Sequence, residues 1–381
     1  MKLFCNDIKQ DLKINFLSTI DYTIFSGSSI DKDKQFQNGF KIQKIIFSVN
    51  FKDKDFLYNI GFKMLNNTCI CLDKIYVSYF KNVDNIIFSI GQIESSFGLE
   101  NVSNNIFLYK SMGTESLSPD VGIGFKFDKW KDKYTFNISI NQLKQGDYPK
   151  LSSLKNEFLY SNKSDYWILS TRFSYRPIIN ILNILQVGFS FHYEINYGSY
   201  LRYKIFPEAK SRKTISVLDT NFLNINRLLK SKYRYSMEFD FFFQSGSFLG
   251  NFELHSSFIK NNIEEIFNYL AFYIQFSYIL TGQKREFINK YGGFGDIFLN
   301  NFISNICEIA FRYSFFNLES GNFITTGFSC NKTLGFNLYI NKNISFFINY
   351  IFSNQSPSIN SGFDYIKRKL HIISTRIQFK Y

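Results

Sequence analysis

Over most of its length the chain alternates apolar and polar residues with a period of two, the signature of strands that turn one face to an apolar surrounding. At the C-terminal end Ile373, Thr375, Ile377, Phe379 and Tyr381 alternate with Ser374, Arg376, Gln378 and Lys380. Tyr235, Met237, Phe239 and Phe241 interleave with Ser236, Glu238 and Asp240, and Val187, Phe189, Phe191, Tyr193 and Ile195 with Gly188, Ser190, His192, Glu194 and Asn196. The rhythm predicts about 16 strands, near 14–25, 41–51, 56–65, 73–81, 85–92, 121–129, 133–142, 166–176, 185–196, 234–243, 248–259, 270–281, 305–317, 331–341, 344–354 and 371–381.

The two faces have different chemistry. The apolar face is crowded with Phe and Tyr, whereas the inner faces of a soluble sandwich favour close-packed aliphatic residues. The polar face carries charges that a packed interior does not hold unpaired. By parity it presents Lys44, Lys63, Lys126, Arg172, Arg234, Arg312, Arg376 and Lys380, together with Asp21, Glu194, Glu238, Asp240, Glu253 and Glu308. A transmembrane antiparallel β-barrel accounts for both faces, with an apolar belt against lipid and a polar wall around a watery lumen. The prolines agree, since Pro cannot donate to a strand ladder and a closed barrel has no edge. Pro119, Pro149, Pro177, Pro207 and Pro357 are all expected between strands.

The connections sort by parity into two kinds. Lys52–Asp55, Asn82–Asp84, Trp130–Asp132, Gln244–Ser247 and Lys342–Asn343 are tight turns, whereas 93–120, 143–165, 197–233 and 355–370 are long. Short turns at one end and long loops at the other mark an outer-membrane barrel. The 282–304 connection breaks this rule, being long where a short turn is due.

Composition narrows the reading further. Aromatic residues make up 19% of the chain and hydrophobic residues 45%, so it is not disordered. The longest apolar run, Tyr269–Leu280, is broken by Gln275 and Ser277, which excludes a transmembrane helix. Residues 1–13 read as a lead segment and 14–381 as the barrel, and Met1–Asp7 lacks the apolar stretch of a secretory signal. The formal net charge is +13, concentrated in loops: between 197 and 233 Arg202, Lys204, Lys210, Arg212, Lys213, Arg227, Lys230 and Lys232 face only Glu208 and Asp219. Lys367, Arg368 and Lys369 add a second cluster. Such loops raise the local concentration of anions at a pore mouth.

Three fragments carry a family resemblance. Gly91-Gln92-Ile93-Glu94-Ser95-Ser96-Phe97-Gly98-Leu99-Glu100, Tyr278-Ile279-Leu280-Thr281-Gly282-Gln283-Lys284-Arg285 and the ending Thr375–Tyr381 resemble, in order, the Phe-Gly-Leu-Glu signature, the Tyr-x-Leu-Thr-Gly-Glu run (with Gln283 in the place of its Glu) and the closing strand of the phosphate-selective porins. The resemblance runs from about Ile14 to the C-terminus and has a counterpart for the long 282–304 connection. It implies a homotrimer of barrels in the bacterial outer membrane, each with its third long loop, here 93–120, folded inward. In that loop Phe97, Gly98, Leu99 and Glu100 would be the anchor, and Lys110-Ser111 is similar to the family's Arg-Ser. The family's second-strand Arg pair falls on Gln43 and Lys44, which implies weak preference for phosphate, because lysine lacks the two-pronged guanidinium contact.

The expected function is passive diffusion of small solutes, with anions preferred and Lys44, Lys110, Arg172, Arg312 and Arg376 as anion contacts or pore lining. The rival is a surface protein or adhesin that uses its long loops for binding. Little points to an enzyme. His192, His255 and His371 show no metal-ligand spacing, although Ser190 and Ser257 lie beside two of them. The five cysteines are odd in number and irregular in spacing, and Cys69 and Cys71 read as ordinary thiols. Gly292-Gly293-Phe294-Gly295 is no phosphate cradle, and no nucleic-acid motif accompanies the basic charge. No cofactor, metal or catalytic residue is expected; the partners expected are small anions and outer-membrane lipid.

Overall fold

The computed structural model describes residues 10–27, 37–65, 69–117, 121–144, 165–196, 204–205, 207–211, 218–219, 231–261, 266–297, 305–320, 327–356 and 368–381. Its strands, in chain order, are β1 (Gln10–Gly27), β2 (Gly39–Asp53), β3 (Phe56–Leu65), β4 (Cys69–Lys81), β5 (Ile86–Glu94), β6 (Val121–Lys131), β7 (Tyr134–Lys144), β8 (Asp165–Ile179), β9 (Asn183–Asn196), β10 (Lys204–Ile205), β11 (Leu218–Asp219), β12 (Ser231–Ser245), β13 (Phe248–Asn261), β14 (Ile266–Ile279), β15 (Arg285–Ile288), β16 (Gly293–Ile297), β17 (Ile306–Ser320), β18 (Gly327–Tyr339), β19 (Ile344–Ser356) and β20 (Arg368–Lys380). Two short helices, α1 (Leu99–Val102) and α2 (Met112–Leu117), follow β5.

Sixteen of these strands close into one barrel, β1 to β9 followed by β12, β13, β14 and β17 to β20. Every neighbouring pair is antiparallel, and β20 closes on β1 from Leu17 opposite Lys380 to Gly27 opposite Leu370. Each predicted strand corresponds to one of these sixteen. The pairs β10–β11 and β15–β16 form separate two-stranded sheets.

Alternation divides the wall as lipid and lumen require. Phe239 and Phe379 are 46% and 41% exposed on the outer surface, while Glu238 is 1% exposed on the inner one. Four register irregularities interrupt this rule, between Thr19 and Ile20, Gly61 and Phe62, Tyr175 and Ile178, and Ser231 and Tyr233. Across the first, Lys44 lies opposite Thr19 but Ile42 opposite Ile20, so the extra residue Gln43 brings a second polar side chain to the lumen. Across the second, Lys74 pairs with Gly61 and Leu72 with Phe62, and Asp73 is the extra residue.

One expectation about proline is corrected. Pro177 lies inside β8 rather than after it, at the irregularity that follows Tyr175, where the ladder needs no donor from it. Pro207 is outside any strand, while Pro119, Pro149 and Pro357 lie outside the described residues, as do most of the loop cations between 197 and 233 and Lys367.

The 282–304 connection is long because it holds the β15–β16 hairpin.

Candidate pore and its charged wall

The chain leaving β5 turns at Gly98, whose φ of 75° is in the left-handed region that favours glycine. Its amide donates to Ser190 Oγ on β9 at 3.1 Å. Phe97 and Leu99 on either side are fully buried, and the Phe97 ring sits against His192 and His255, with centroids 5.6 and 6.2 Å away. Glu100 is the next fixed point. Its carboxylate accepts from Arg312 Nη2 on β17 at 2.6 Å and from the Ser111 amide at 3.0 Å, while its own amide donates to Glu253 on β13.

Further along, inward side chains of the wall take up the backbone carbonyls. Asn337 on β18 donates to Ile106 O at 2.9 Å, Arg376 on β20 to Leu108 O at 2.7 Å, and Arg312 to Tyr109 O at 3.0 Å. The Tyr109 hydroxyl donates to Asp21 on β1 at 2.6 Å. Burial and the neighbouring Asp21 charge push the Tyr109 phenol well above its ordinary pKa, so it stays a donor.

Two further segments fill the space beside it. The β15–β16 hairpin packs Phe294 on Phe242, centroids 5.7 Å apart and nearly parallel, and accepts the Asn104 amide at Phe294 O at 2.8 Å. Arg285 ties the same hairpin to Glu308 at 2.7 Å and to the Tyr339 hydroxyl at 2.9 Å. Residues 207–211 bring in Glu208, which accepts from the Met112 amide at 3.2 Å and from Ser314, and lies 3.8 Å from Arg312. Burial pushes its carboxyl up, against the pull of Arg312.

Contacts with these segments divide the wall charges into two groups. Arg172 and Arg312 are 1% exposed and engaged by carboxylates, Arg172 by Asp240 and Glu238, Arg312 by Glu100 and Glu208. Such pairs fix geometry, because removing one partner strands a buried charge. Neither arginine lines the two cavities, of about 410 and 250 Å³, on the inner wall. Lys44, Lys110 and Arg376 do line one, a cavity of about 410 Å³ that also holds Lys74, Glu94 and Lys380. Arg376 is held there by Asp21 at 2.7 Å. Lys44 is solvent-exposed, and the charges acting on it are those of Lys110, Glu94, Arg376 and Asp73. Lys110 donates to the neutral amide oxygen of Asn101. Neither lysine forms an ion pair among the described residues. A second cavity of about 250 Å³ shares Lys74, Glu94 and Asn101 with the first and adds Lys126 and Lys290. Lys74 is a lining cation beyond the expected contacts, although it shares the inward parity of Tyr76 and Ser78, and Lys290 comes from the turn of the β15–β16 hairpin.

A closed sixteen-stranded antiparallel barrel with an aromatic outer belt and a charged inner wall is the architecture of an outer-membrane porin. The chain belongs to the family of phosphate-selective porins O and P, whose sequence profile matches residues 14–381. It is accordingly a channel of the bacterial outer membrane for passive diffusion of small solutes. No curated protein matches it. Solved structures share the fold at low identity. In-vitro-folded OmpT, an outer-membrane protein of Vibrio cholerae, has a TM-score of 0.61 at 7% identity over 98% of both chains. The anion-selective porin of Comamonas acidovorans has 0.57 at 8% identity, over 98% of this chain and 100% of its own. The outer-membrane channel DcaP of Acinetobacter baumannii has 0.56 at 8%, over 98% and 97%.

Proposed function

We propose that the pore prefers anions and that segment 93–120 sets its narrowest passage. The observation that carries this reading is that Lys44 and Lys110, neither in an ion pair among the described residues, line one cavity together with Arg376. Ammonium groups on the wall of a pore that are engaged in no ion pair attract anions and repel cations. Arg172 and Arg312 serve this arrangement indirectly, through the packing of the inserted segments. Lysines give a diffuse attraction and not the bidentate grip of guanidinium on phosphate, so phosphate competes weakly with other small anions.

The functional unit in this reading is a homotrimer; a trimer form of Vibrio cholerae OmpT is among the similar folds. The chain catalyses no reaction. Purified protein in a planar bilayer tests the proposal: an anion-preferring conductance supports it, and a closed barrel that only binds surfaces through its loops would show none.

A further inference from the structure

We infer that the smaller cavity is a subsite for a polyhydroxylated monoanion of about monosaccharide size, such as a sugar acid. The inference rests on the reading of the chain as an anion-preferring pore. The cavity lies on the inner wall of β4, β5 and β6 and is closed on one side by the turn of the β15–β16 hairpin. At about 250 Å³ it is larger than chloride or a single phosphate needs.

Its lining is mixed in a way that suits no bare inorganic ion. Lys74 is paired with Glu94 at 2.6 Å, and Lys126 stands 3.6 Å from Asp128. A dianion that approached these lysines would also meet both carboxylates. A solute with one anionic group and several hydroxyls avoids that conflict, since its hydroxyls donate to the carboxylates while its anionic group faces the ammonium groups. Lys290 is the cation best placed for the latter. Its Nζ lies 4.8 Å from the centre of the Tyr291 ring, and Lys126 Nζ lies 5.8 Å from the same ring.

Tyr76 and Tyr291 complete the site with two rings, apolar in body and hydroxyl-tipped, against which the C–H groups of a polyhydroxylated carbon chain pack. Tyr291 is held in place by its turn. Gly292 has a φ of 60° and its amide donates to Ile288 O at 3.0 Å. The Gly292 carbonyl accepts from Gln186 at 2.8 Å, and Thr135 donates to Asn289 O at 2.6 Å. A Cβ at Gly292 would come within 2.4 Å of Ser174 Oγ, so the close approach requires glycine. The aromatic platform is therefore preformed, which keeps the ordering cost of binding low.

The test is occlusion of the chloride current through the purified full chain in a planar bilayer by gluconate, inorganic phosphate and glucose, with the reversal potential read in the same membrane. Gluconate is expected to occlude at a concentration about tenfold below that of phosphate or glucose. Tyr291→Ala should erase most of that advantage and Tyr291→Phe should keep it. Should Tyr291→Ala fail to insert, Lys290→Ala takes its place and should weaken gluconate more than glucose. Equal occlusion by gluconate and phosphate, or a gluconate advantage that survives both Tyr291→Ala and Lys290→Ala, overturns the subsite. Chloride preference without gluconate occlusion is failure of the subsite alone, whereas potassium preference is failure of the anion reading on which it rests.

Discussion

Arg312 on β17 and Glu100 in the segment after β5 meet at 2.6 Å with both side chains buried. The pair joins a strand of the wall to a segment 212 residues earlier in the chain, and Arg312 also lies over the Phe107 ring at 4.4 Å. One guanidinium thus holds two points of the segment after β5 while the wall strand holds the guanidinium.

Replacing Arg312 with Ala should cost about 3–5 kcal/mol, because it leaves the buried Glu100 carboxylate without its cation. Lower heat resistance of the folded barrel on a semi-native gel is the expected readout, together with a noisier open-channel current as the segment loosens. A heat-resistance profile equal to that of the parent would show that the pair holds nothing.

Deleting residues 103–112 should raise the single-channel conductance. The segment removed carries Ile106, Leu108 and Tyr109, whose carbonyls receive Asn337, Arg376 and Arg312. Unchanged conductance in bilayers would place the narrowest passage elsewhere.

Tyr109→Phe removes the hydroxyl bond to Asp21, a charge-assisted bond worth about 1.5–3 kcal/mol. The pH dependence has a defined sign. Tyr109 titrates higher in the folded chain than in the unfolded one. Its contribution is therefore fully present below the ordinary tyrosine value of about 10 and is lost as pH rises above that toward the folded value. The difference in melting temperature between parent and Tyr109→Phe should be constant from neutral pH to about 10 and shrink beyond it. Thermal melts in detergent across that range decide the matter; a difference that grows with alkalinity contradicts the assignment.

The barrel was legible in the sequence because each strand meets two unlike surroundings, and a period of two records that contrast directly. Phe239 against Glu238 is enough to orient β12. Legibility failed where the backbone departs from the period. The extra residues Gln43 and Asp73 alter the inward count locally, and Pro177 fits inside β8 only because the ladder is already irregular there. The interior was legible only in part. Parity placed Arg172 and Arg312 on the inner wall, but their burial depends on segments from far along the chain, residues 95–117, 207–211 and the β15–β16 hairpin, whose folding carries no periodic signal. Lys74 is the opposite case, since the alternation with Ile75 already turned it inward.

The anion preference is tested most directly by the reversal potential of the parent and of Lys110→Glu in a potassium chloride gradient. The parent should favour chloride, and the preference should shrink as salt screens the charges over a Debye length of about 10 Å at 0.1 M. Lys110→Glu should weaken or reverse it, since it places a carboxylate beside Lys44 where two ammonium groups now act together. A parent channel that favours potassium, or a Lys110→Glu channel with the parent's reversal potential, would contradict the account.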